Sequence, residues 1–203
     1  SFKIDSKTYV TADYVKSRNN PVLITEINYH PETRFDAGEW VEIYNNSSVA
    51  QNISNWVFTD MGLGHQLAFP PNTLLDAYDY TILCEDTTRF KSHFSSVTSI
   101  LGNFNFSLNN AGETLVLLDS DRAIIDSLTY SDRFPWPREA DGLGGTLVLK
   151  DPSLDNSLPS SWTVGKSGGN PGKVIELPTH VRNIAAKRKS ISVFPNPFNA
   201  NVN

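Results

Sequence analysis

The chain has 203 residues, of which 39% are hydrophobic, 11% aromatic and 19% charged. That is enough apolar material for one domain of ordinary size with flanking segments, and it excludes a large multidomain enzyme and a wholly disordered chain. With 17 basic against 22 acidic residues the formal net charge is −5, which opposes broad binding to phosphate backbones or anionic lipid, so nucleic acid is not the expected partner.

In chain order, residues 1–20 carry a weak alternation in FKIDSKTYV and then a polar stretch, expected as the remnant of an upstream module or a linker. The only methionine is Met61, so the sequence reads as a piece of a longer protein. Seven short runs rich in β-branched and aromatic residues follow: VLITEINY (22–29), EWVEIYN (39–45), NWVFTD (55–60), YDYTILCED (78–86), ETLVLLD (113–119), AIIDSLTY (123–130) and GTLVLKD (145–151). Each is bounded by Asn, Asp, Gly, Pro or Ser, and that spacing predicts an all-β sandwich or barrel.

The pattern breaks once, in DTTRFKSHF (86–94), where Phe90 and Phe94 stand four apart behind Asp86 or Thr87 as a helix N-cap; one short helix is expected there. Ser120, Asp121 and Arg122 supply hairpin chemistry between two apolar runs. RFPWPREADGLGG (133–145) and SLPSSWTVGKSGGNPGK (157–173) read as loops. Residues 174–189, with His180, Arg182 and the basic triplet Lys187–Lys189, suit an exposed connector, and SISVFPNPFNANVN (190–203) begins a new apolar segment.

The ordered strings ITEINY (24–29), EWVEIYN (39–45), ISNWVFTD (53–60), LNNAGETLVLLD (108–119), IIDSLTY (124–130), DGLGGTLVLKDPSLDNSLPSSW (141–162) and GGNPGK (168–173) resemble the lamin tail domain in its bacterial secreted form. The resemblance implies an immunoglobulin-like β-sandwich over residues 21–173, without enzymatic activity of its own, serving as an accessory module of a secreted or surface protein. Coiled-coil heptads of the animal lamins are absent, so a filament role does not carry over. Pro195, Asn196, Pro197, Phe198 and Asn199 resemble the opening of the C-terminal sorting domain of type IX secretion cargo, which implies export to the extracellular space or the outer cell surface.

Candidate chemistry is sparse. On an alternating strand Val41 and Ile43 face the core, while Trp40, Glu42 and Tyr44 share the opposite face, where two rings flanking a carboxylate suit sugar stacking or a protein anchor. Trp136 of the FPWP loop is a fourth ligand-binding candidate, whereas Trp56 is expected in the core. Asp119, Asp121 and Asp126 lack calcium-loop spacing and read as turn residues. His30, His65, His93 and His180 occur singly, without the short spacings that bring two ligands to one metal. Cys84 lies in an apolar strand as a small hydrophobe. No catalytic residue, metal or cofactor is expected, and no run reaches the ~18 apolar residues of a membrane span. The expected function is a non-catalytic spacer or interaction module whose partner is a protein or glycan at the cell surface. The alternative is a carbohydrate-binding module using Trp40, Glu42, Tyr44 and Trp136, and a metal-dependent hydrolase or nuclease with dispersed Asp and His ligands ranks third.

Overall fold

The computed structural model describes residues 21–173. Twelve strands and one helix follow in the order β1 (Val22–Asn28), β2 (Trp40–Asn45), β3 (Gln51–Asn52), β4 (Val57–Thr59), β5 (Leu67–Ala68), β6 (Leu74–Leu75), β7 (Tyr80–Cys84), α1 (Thr87–His93), β8 (Ile100–Asn103), β9 (Thr114–Leu118), β10 (Ile124–Thr129), β11 (Leu147–Leu149) and β12 (Trp162–Val164). A six-stranded sheet, β12-β11-β1-β2-β7-β8, packs on a four-stranded sheet, β10-β9-β4-β5, and β3 pairs with β6 alongside. This is an immunoglobulin-like β-sandwich with a single helix, all-β as the strand spacing predicts and a sandwich, not a barrel, as the lamin tail resemblance implies.

The core lies between the two main sheets. Ile24, Ile27, Val41, Ile43, Leu83 and Leu147 from one sheet meet Phe58, Leu115, Leu117 and Leu128 from the other, with Trp56 at the margin of the same cluster. Ile24 and Ile27 stand three apart, which a period of two would send to opposite faces. A β-bulge reconciles them: Ile24 pairs with Ile43 and Glu26 with Glu42, so Thr25 and Glu26 together oppose the single residue Glu42. The bulge keeps both isoleucines in the core and brings Thr25, Glu26 and Glu42 together on the far face.

Every run expected as a strand contains one. The additional strands β3, β5, β6, β8 and β12 are two to four residues long, and partners distant in sequence rather than local periodicity make them pair. Segment 157–173, expected as a loop throughout, holds a 3-10 turn at Pro159–Ser161 and then β12. The expected helix is α1, capped by Asp86 Oδ1, which accepts from Thr88 N at 2.8 Å and Arg89 N at 3.0 Å. It forms the crossover that lets β8 pair parallel to β7 in an otherwise antiparallel sheet. At Asp119 the hairpin chemistry is as expected, Oδ1 accepting from the backbone of Asp121 and Ala123. Asp126 is different: it is buried, and its Oδ2 accepts from Ile24 N at 2.7 Å and Asn156 Nδ2 at 2.7 Å, tying β10 to β1 where β11 has not yet joined the sheet.

Candidate functional site

The far face of the six-stranded sheet carries the residues singled out in the sequence. Alternation places Trp40, Glu42 and Tyr44 there as expected, but the face is covered. Trp40 is 0% exposed, Glu42 3%, Tyr44 1% and Trp136 6%, which corrects the expectation of rings open to a ligand. Two elements account for the cover. α1 lays Phe90 and Phe94 edge-on against Trp40, with ring centroids 5.8 and 6.1 Å away. The glycine-rich segment 165–172 closes the rest, and at Gly169 a Cβ would collide with the Trp40 ring and the Glu26 carboxylate, so only glycine allows that approach. Trp136 lies elsewhere, packed on Trp162 with centroids 5.9 Å apart; it is not brought to the Trp40 face.

Under this cover sits a feature that periodicity did not reveal, a pair of buried carboxylates. Glu26 and Glu42 are register partners across β1 and β2. Glu26 Oε1 accepts from Thr146 Oγ1 at 2.6 Å and from Asn170 N at 3.1 Å. Glu42 accepts from Thr25 Oγ1 at 2.7 Å and from Gly172 N at 2.8 Å. Burial pushes Glu26 up to about 8, with the neighbouring Glu42 charge adding to the rise. Burial likewise raises Glu42 to about 7, against the opposing hydrogen bonds from Gly172 and Thr25. The odd spacing of Ile24 and Ile27 is the sequence signal that would have located the pair, because it requires the bulge. Among the described residues Trp40 Nε1, Tyr44 OH and Tyr29 OH are buried without a hydrogen-bond partner.

Other polar residues form pairs rather than a reaction centre. His30 Nδ1 meets Asp141 Oδ1 at 2.6 Å, and His65 Nδ1 meets Asp60 Oδ2 at 2.7 Å. Glu39, raised to about 7 by burial, accepts from Leu108 N. Cys84 is buried, and that burial pushes its thiol up to about 12, away from the thiolate a nucleophile needs. Among the described residues no group of three or more His, Cys, Asp and Glu is placed to hold a metal ion, and no helix is long and apolar enough to cross a membrane. The basic triplet at 187–189 and the segment 190–203 lie outside the described residues.

No curated protein matches the chain. Among solved structures it is similar to a DUF4876 family protein from Bacteroides thetaiotaomicron, at 11% identity and a TM-score of 0.47, over 79% of this chain and 75% of that one. The profile of the Lamin Tail Domain matches residues 16–132, more than half of the chain and the segment that supplies β1 to β10 of the sandwich. The chain belongs to the lamin tail domain family.

Proposed function

We propose that this chain is a non-catalytic spacer and interaction module of an exported bacterial protein. The observation that supports this reading best is the covered far face: the paired carboxylates Glu26 and Glu42 are 2% and 3% exposed and accept from Thr146, Thr25 and the backbone of Asn170 and Gly172. Perturbed carboxylates mark a reaction centre when they line a cleft; here no substrate reaches them, and they hold the glycine-rich segment against the sheet. A carbohydrate-binding role through Trp40, Glu42, Tyr44 and Trp136 has little support from burial of this degree, since stacking needs an open ring face. Export draws its support from the resemblance of SVFPNPFN to the opening of a sorting domain.

The full 203-residue chain is expected to give no turnover above blank with peptide, ester, glycoside or phosphodiester substrates, with or without magnesium, calcium or zinc. Turnover abolished by one side-chain substitution in a folded variant overturns the reading.

A further inference from the structure

The glycine-rich segment 165–172 lies across the far face of the six-stranded sheet, and its two halves are fastened differently. The first half holds by backbone bonds: Gly165 N donates to Thr146 O at 2.8 Å and Gly168 N to Gly144 O at 2.7 Å. From Gly169 onward, among the described residues, the hydrogen bonds to the rest of the domain go to carboxylates, Asn170 N to Glu26 Oε1 at 3.1 Å and Gly172 N to Glu42 Oε2 at 2.8 Å. Gly169 N and Lys173 N turn back to Lys166 O and Asn170 O inside the segment. Beyond those bonds, the second half is held by the close approach of Gly169 to Trp40 and of Gly172 to Tyr80.

The carboxylate pair is badly placed to carry two charges. Glu26 and Glu42 are register partners on adjacent strands, both buried, and neither makes an ion pair among the described residues. The surrounding elements supply no counter-charge. Lys166 and Lys173 of the segment and Lys91 and His93 of α1 are exposed, Arg89 is paired with Asp36, Glu32 of the β1–β2 loop lies at Gly144, and Asp79 ahead of β7 accepts from Tyr80 N. Tyr44 and Tyr80 stand beside the pair as neutral phenols, their pKa raised by burial, and Thr25 and Thr146 offer hydroxyls only. Two buried like charges without a cation are costly, so the closed segment keeps a proton on the pair. The amides of Asn170 and Gly172 favour the charged form, but desolvation is the larger effect at both residues. Lifting the second half admits water and removes that larger effect.

We propose that residues 169–172 form a proton-held latch: a proton kept on the Glu26–Glu42 pair holds the latch closed, and its loss releases the latch and moves the point at which the chain leaves the sandwich. Release frees residues 169–173, which at about 3.3 Å per extended residue lengthens the outgoing tether by roughly 16 Å. The closed state binds more protons than the open one, so closure is favoured below the ordinary carboxylate range and is lost as pH rises through about 7 and 8. The latch rests on the covered far face and not on the absence of turnover: its failure leaves the non-catalytic reading standing, and turnover leaves the latch.

The test is amide hydrogen exchange of the full chain between pH 5.5 and 8.5, corrected for the intrinsic pH dependence and read at Asn170 and Gly172 against Ile27 of β1. Each proton released on opening changes the opening equilibrium up to about tenfold per pH unit, so protection at Asn170 and Gly172 is expected to fall at least about tenfold across the range while Ile27 keeps its protection. In the Glu26→Gln, Glu42→Gln double variant the fall disappears, and in the exposed-site control Glu139→Gln it persists. Protection that is absent at pH 5.5, constant with pH, lost in step with Ile27, or lost undiminished in the folded double variant overturns the latch. Should the double variant not fold, the single variants Glu26→Gln and Glu42→Gln decide by the same criterion, each expected to weaken the pH dependence.

Discussion

Replacing Glu26 by glutamine is expected to stabilise the domain at pH 8 by an amount on the order of a few kcal/mol, and to flatten the decline of stability with rising pH. Burial and the Glu42 charge hold the Glu26 acidity near 8 in the folded chain, against an ordinary value of 4.5. Between those limits the folded state binds more protons than the unfolded one, so stability falls as pH rises. The full contribution is present below the unfolded value of 4.5 and is lost as pH passes through the folded values of about 7 for Glu42 and about 8 for Glu26. Glutamine keeps an oxygen for Thr146 and Asn170 but carries no charge to desolvate. Urea unfolding at pH 5, 6.5 and 8 measures this directly. A wild-type midpoint that rises across that range, or a Glu26→Gln variant weaker than wild type at pH 8, contradicts the assignment.

Trp40→Ala is expected to cost about 3–5 kcal/mol, the usual penalty for removing a large buried aromatic ring and leaving its cavity. The ring is 0% exposed and packs with Ile82, Cys84, Phe90 and Val97 in the second hydrophobic cluster. Losing it undoes the seat of α1 and of segment 165–172 together. Tyr44→Phe is the matched comparison on the same face. It deletes a buried hydroxyl without a partner, so stability is expected to stay level or rise slightly. Thermal or urea unfolding of both variants tests the pair, and an alanine variant as stable as wild type would show that the Trp40 face is an open surface.

What the sequence made legible follows from where the physics is local. Alternation in EWVEIYN assigned Val41 and Ile43 to the core and Trp40, Glu42 and Tyr44 to the opposite face, and Asp86 before the Phe90–Phe94 pair located the helix. Whether that opposite face is wet depends on what lies over it, and the cover comes from α1 and from segment 165–172, which begins 120 residues after the end of β2. No strand period carries that information. The bulge at Thr25–Glu26 was written in the three-residue spacing of Ile24 and Ile27, a signal visible only once both are required to share a face. Asp126 looked like a turn residue because its neighbours form a hairpin, yet it sits past the turn and bonds Ile24 and Asn156 at separations of 102 and 30 residues.

The central claim is that the tryptophans of this module build its interior instead of displaying a binding face. All four tryptophans bear on it, since Trp40, Trp56, Trp136 and Trp162 are 0%, 7%, 6% and 2% exposed. Acrylamide quenching of tryptophan emission in the folded chain, compared with the same chain in concentrated urea, is the most direct measurement. Blue-shifted emission with weak quenching, rising severalfold on unfolding, is the predicted result. Red-shifted emission quenched as readily in the folded chain as in the unfolded one would contradict the account and return Trp40 and Trp136 to the surface.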